Sequence, residues 1–239
     1  MTLVAVAAGK HAPGATTLSL ALAAVAPTDV RPLVVEADPA GGDIAPRAGL
    51  AFDPGLVTLA AAVRRGASPE LLHRHEQRLP NEVRALVAPS SPEQATTALT
   101  RSSDALAELL RPEPLAIVDA GRWYAASPAA PFVCASDIVI VVLRATLEGI
   151  EHARTRLETI PGSTRRVAAL IGDAHYPLSD VCAALELDDA FAIPRDARAA
   201  THLATGMPLD RWTRRSACLR AVNALTERVV ARSADAVTS

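Results

Sequence analysis

Along this chain, short unbroken apolar runs alternate with longer segments whose apolar positions recur at three- and four-residue spacing. The runs are Leu3–Ala8, Pro32–Ala37, Val83–Ala88, Leu115–Asp119, Asp137–Leu143, Arg166–Ile171 and Ala190–Ile193. Too short for helices and apolar on successive residues, they read as strands covered on both faces. Between them the spacing predicts helices over Thr16–Ala26, Leu56–Arg65, Glu70–Arg78, Pro92–Leu110 and Leu147–Ile160. Asp196 is placed to cap a further helix beginning near Ala197, and Ser216–Arg232 makes a long last one.

Strands alternating with helices predict an α/β fold, a mostly parallel twisted sheet with helices on both faces. Residues 1–232 are expected to form one domain and 233–239 a flexible tail. Ligands of such sheets bind at the carboxyl ends of the strands. Lys10, Asp38 and Asp119 fall at or just past such ends. Glu36 and Asp38 close the second run, and an acidic group there points to a site, because a core gains nothing from a buried charge.

Composition narrows the function classes. Net charge is -2 and the pI near 6.3, so no overall field draws the chain to nucleic acid or an anionic membrane. No apolar run approaches the roughly 20 residues of a membrane span, and the apolar start lacks a basic leader. Cys134, Cys182 and Cys218 fit neither a zinc spacing nor a disulfide framework. A cytoplasmic protein without direct membrane insertion is expected. Of 24 basic side chains 23 are arginine, and the single lysine is Lys10. In a sequence that elsewhere uses arginine for positive charge, a retained lysine suggests a point charge on phosphate in a space too small for a guanidinium.

Its neighbours carry that idea further. Gly9-Lys10-His11-Ala12-Pro13-Gly14-Ala15-Thr16-Thr17 has glycine spacing, and a hydroxyl after the second glycine, between an apolar run and a helix. That is a phosphate-loop arrangement: glycines let the backbone wrap a phosphate, amides point inward, and the helix start adds positive potential. Thr16 is placed to offer its hydroxyl to Mg2+. The usual lysine after the second glycine is replaced by Ala15.

With Lys10 one residue after the first glycine, the loop resembles the deviant Walker A motif of the ParA/MinD family, a P-loop NTPase group. The resemblance continues along the chain. Glu36-Ala37-Asp38-Pro39-Ala40-Gly41-Gly42-Asp43 is similar to the family's switch, and Leu115-Ala116-Ile117-Val118-Asp119 to its Walker B strand. Ile193-Pro194-Arg195-Asp196 resembles the loop over the adenine, which implies Pro194 and Asp196 at the base. Gly42-Asp43 and Pro54-Gly55-Leu56 look closer to the pilus-assembly branch, CpaE/TadZ, than to plasmid partition proteins. The resemblance implies ATP or ADP with Mg2+ as cofactors. It implies Asp38 orienting the attacking water, Thr16 and Asp119 managing Mg2+, and Lys10 reaching a partner subunit's nucleotide in trans.

Departures from the pattern qualify the chemistry. Ala15 removes a positive charge from the β- and γ-phosphates, His11 and Ala12 replace glycines, and Pro13 removes an amide donor. Such a charge-assisted contact is worth on the order of 2 kcal/mol. Gly172-Asp173 stands where the family has an adenine-reading asparagine. A site binding nucleotide weakly, or only as a dimer, and hydrolysing it slowly is expected. His11 is either a pH-dependent charge near phosphate or an exposed loop residue.

Elsewhere, Arg211, Trp212, Arg214, Arg215 and Arg220 form the densest basic cluster, read either as a phosphate or partner surface or as a solvated helix start. Arg122-Trp123-Tyr124 is either a γ-phosphate-sensing dimer face or packing over the sheet edge. The leading expectation is an ATP-dependent dimerisation switch that positions or assembles a cargo. Its partners would be a second copy or a related ATPase, together with a protein cargo or regulator; DNA is not favoured. The alternatives are a pseudo-ATPase scaffold that binds no nucleotide, and a ligase similar to dethiobiotin synthetase, for which no substrate pocket is identifiable.

Overall fold

The computed structural model describes residues 1–9, 12, 14–144, 146–172 and 176–235. Its first half runs β1 (Thr2–Ala8), α1 (Ala15–Val25), β2 (Leu33–Glu36), α2 (Ile44–Ala48), α3 (Leu56–Val63), α4 (Pro69–His75), β3 (Gln77–Arg78), β4 (Arg84–Leu86) and α5 (Pro92–Leu110). The second half runs β5 (Leu115–Arg122), α6 (Ala130–Ala135), β6 (Ile138–Leu143), α7 (Leu147–Leu157), β7 (Arg165–Ile171), α8 (Leu178–Leu185), β8 (Asp189–Ile193), α9 (Ala197–Ala204), α10 (Arg211–Arg214) and α11 (Ala217–Asp235).

The described strands form one eight-stranded sheet in the order β3-β4-β2-β5-β1-β6-β7-β8. Every pairing is parallel except β3 with β4. The expected α/β architecture is therefore the one observed. Its central strands read as continuous apolar runs because alternate residues enter different cores. Leu3, Ala5 and Ala7 pack with α3, α5, α6 and α7, whereas Val4, Val6 and Ala8 pack with α1, α9 and α11. From β1 the chain crosses to one side through β2 and β4, then returns through β5 and leaves on the other side through β6. The crevice at that reversal opens at the carboxyl ends of β1 and β5.

The structure departs from the sequence expectation at particular places. The helix expected over Glu70–Arg78 stops at His75, and Gln77 and Arg78 instead pair antiparallel with β4. The cause is Arg84, whose buried guanidinium binds both Glu76 carboxylate oxygens as well as Glu113, holding the chain extended at Glu76. The helix expected to reach Ile160 ends at Leu157. α2, α6, α8 and α10 are not expected from the sequence; they are short helices of 5, 6, 8 and 4 residues. Leu56 and Leu59 of α3 are fully buried against α5.

Candidate functional site

β1 delivers the chain to the crevice at Gly9, whose amide donates to the Val142 carbonyl at 2.8 Å. A Cβ there would lie 3.3 Å from that carbonyl, so the loop begins pressed against the end of β6. Gly14 precedes α1 with φ +113°, a conformation side chains disfavour, although nothing crowds it. The first turn of α1 has neither a side-chain cap nor an acidic residue, leaving its amide donors facing the crevice. A cavity of about 610 Å³ follows, lined by Gly9, Ala12, Gly14, Ala15 and Thr16 together with Asp38, Gly121, Arg122 and Arg144.

Three carboxylates converge here, each with its pKa raised chiefly by burial. Glu36 and Asp119 are paired across β2 and β5. Asp119 is fully buried; one oxygen accepts the Gly121 amide at 3.1 Å, and the other, Oδ2, has no hydrogen-bond partner. Burial pushes its pKa up to about 7, opposed by the Thr16 hydroxyl and the Gly121 amide and reinforced by Glu36 and Asp38. Thr16 thus faces this carboxylate without closing a hydrogen bond of normal geometry. Burial also raises the pKa of Asp38, against the Ala40 amide, which Oδ1 accepts at 2.8 Å, and against the charge of Arg122.

Glu36 corrects the expectation that it serves the ligand. Its carboxylate is buried and spent on the backbone: Oε1 accepts the amides of Asp43 and Ile44 at 2.6 and 2.9 Å, and Oε2 that of Ala88 at 2.9 Å. It ties the segment after Asp38 to the end of β4. Burial, the largest influence, raises its pKa despite those donors.

The oxygens of Thr16 and Asp119 fit Mg2+, and an orphaned buried carboxylate oxygen is what such an ion would satisfy. Among the described residues no group of three or more His, Cys, Asp or Glu side chains could hold a metal alone. That is compatible with Mg2+, which commonly takes one or two protein ligands together with phosphate and water.

A second, apolar recess of about 370 Å³ flanks the other side of the α1 start, lined by Gly14, Thr17, Leu18, Ile171, Pro194 and Cys218 among others. Asp196 also borders it, but its Oδ1 accepts the Ala199 amide at 2.9 Å and caps α9. Gly14 belongs to both cavities, so a ligand with a polyanionic end and a flat apolar end could span them.

Gly9, Ala12, Gly14, Ala15, Thr16 and Asp38 therefore line one cavity, with Asp119 on its buried side, and Thr17, Pro194 and Asp196 border the adjoining recess. Lys10, His11, Pro13 and Asp173 lie outside the described residues. Trp123 is a core residue at 2% exposure, so of the expected interface pair only Tyr124, at 48%, is free to meet a partner. Trp212 is 64% exposed with Arg211 stacked 5.0 Å from its ring, in the basic cluster that stands apart from the crevice lining. Sequence reasoning overlooked Gly121 and Arg144, though Arg144 directly follows an apolar run, the same signal that marked Asp38 and Asp119.

No protein-family model matches the sequence, and no curated protein is similar to it in sequence. Similarity to solved structures is extensive. A McdA variant from Cyanothece in complex with ATP superposes with a TM-score of 0.72 at 17% identity, over 97% of this chain and 96% of that one. A ParA family ATPase from Chlorobium tepidum gives 0.74 at 15% identity over 95% and 99%. MinD from Pyrococcus horikoshii complexed with Mg-ADP gives 0.70 at 17% identity over 95% and 94%. The fold is that of the ParA/MinD P-loop ATPases.

Proposed function

We propose that the chain is a nucleotide-dependent switch that binds ATP or ADP with Mg2+, dimerises on the nucleotide, and positions or assembles a protein cargo in the cytoplasm. One observation carries this reading: a polar cavity with an orphaned buried carboxylate oxygen and an apolar recess meet at Gly14, the start of α1. The first suits phosphates and the second a base. The ATP and Mg-ADP complexes of the similar folds support the choice of ligand.

In this reading the uncapped amides of α1 hold phosphate, and Thr16 and Asp119 hold Mg2+, which when bound neutralises charge on the phosphates. Asp38, hydrogen-bonded to the Ala40 amide, offers its remaining oxygen to the attacking water. Hydrolysis is slow because Ala15 leaves the transferring phosphate without its customary lysine. Lys10 would act in trans. The partner is a second copy or a related ATPase, with a cargo or regulator beyond it. Among the described residues no helix is long and apolar enough to cross a membrane.

Calorimetric titration with ATP and Mg2+ tests the proposal. Binding, with sedimentation showing an ATP-dependent dimer that Lys10→Ala abolishes, is expected. No heat at high protein concentration would reject it in favour of a scaffold that binds no nucleotide, the second reading, which Ala15 favours.

A further inference from the structure

We propose that Arg144 supplies the phosphate-neutralising charge that Ala15 does not; the inference rests on the nucleotide reading above. Arg144 follows β6, the strand paired with β1, and the Gly9 amide is bonded to Val142 two residues before it. Arg144 lines the same cavity as Gly14, Ala15 and Thr16. Ala15 borders that cavity with only a methyl group, so no charge reaches a phosphate from this position. A guanidinium at the end of β6 can supply that charge and bind a phosphate in the two-pronged fashion open to arginine but not to lysine.

Arg122 lines the cavity too, yet its charge already acts on Asp38. Arg144 carries no hydrogen bond or ion pair from its side chain to any described residue, and it is exposed at the mouth rather than packed. Among the described residues this cation at the cavity has no hydrogen-bonding or ion-pairing partner that would tie it to the fold. Its natural counter-ion is a polyphosphate entering from solvent.

The test measures binding of MgATP and of Mg-tripolyphosphate, which has no base, to wild type, Arg144→Ala, Arg144→Lys, Arg122→Ala and Arg144→Ala combined with Ala15→Lys. Arg144→Ala is expected to weaken both ligands at least about tenfold, with the melting temperature unchanged because the side chain is exposed. Arg144→Lys should recover part of the loss, Arg122→Ala should cost less than Arg144→Ala, and Ala15→Lys should restore the double variant. An Arg144→Ala protein that binds MgATP as tightly as wild type overturns the inference and leaves the nucleotide reading standing. A wild type that binds tripolyphosphate through Arg144 but not ATP rejects the nucleotide reading alone. A wild type that binds neither rejects both.

Discussion

The carboxyl group of Asp38 rests on the α-carbon of Gly121, so closely that a Cβ at position 121 would lie 2.0 Å from Asp38 Cγ and 2.1 Å from Oδ2. Gly121 has φ +57° at an irregularity in β5, where Val6 pairs with Asp119 but Ala8 with Arg122. The extra residue brings the backbone under the Asp38 carboxylate, and Arg122 lines the cavity. Gly121→Ala is therefore expected to displace Asp38, to slow any hydrolysis to background, and to cost about 1–3 kcal/mol of stability. Single-turnover ATP hydrolysis and denaturant unfolding measure the two effects; wild-type values in both would refute the contact.

Glu36 is expected to set the order of residues 38–48. In Glu36→Gln the amide nitrogen would meet the Ala88 or the Asp43 and Ile44 donors, leaving at least one buried N–H unpaired. A loss of about 1–3 kcal/mol follows. Amide exchange should quicken at Asp43, Ile44 and Ala88 more than elsewhere, and uniform protection would show that the carboxylate is not the clamp. Gly42→Ala should mimic the effect, since its Cβ would fall 2.3 Å from Glu36 Oε2.

Asp119 makes the ligand-free protein sensitive to pH. Its folded pKa of about 7 lies above the ordinary 3.8, so between about pH 4 and 7 the folded chain holds a proton that the unfolded chain has released. Stability falls as pH rises through that window and levels off above it. The raised pKa values of Glu36 and Asp38 add in the same direction. Melting temperatures from pH 4.5 to 8 should decline in wild type and decline less in Asp119→Asn; identical slopes would contradict the assignment.

The same proton links pH to Mg2+. Below about pH 7 the ion must displace it from Asp119, so uptake of Mg2+ with nucleotide should release a proton and strengthen as pH rises. Calorimetry in buffers of different ionisation heat reads that release directly. Heats independent of buffer at pH 6 would count against Asp119 as the ligand.

Restoring the absent lysine should act on binding rather than on the fold. Ala15→Lys is expected to tighten MgATP by about thirtyfold, the worth of one charge-assisted contact of about 2 kcal/mol. An unchanged dissociation constant would mean that residue 15 does not face the phosphates.

Much of this was legible in order along the chain. Buried parallel strands must be apolar on both faces, so their ends are visible as the points where apolar runs stop, and Gly9, Asp38 and Asp119 stand at those stops. The glycine spacing of the loop is local in the same sense. What remained hidden depends on which strands become neighbours. Arg144 shares a cavity with Gly9 and Gly14 because β6 pairs with β1, Gly121 meets Asp38 because β5 lies between β1 and β2, and Glu36 finds Ala88 across β4. Trp123, which the sequence left open between interface and packing, is decided by the core that closes over it. Periodicity along a chain records which faces are covered but not what covers them, so strand order, charge compensation and steric contact across the crevice belong to the tertiary structure alone.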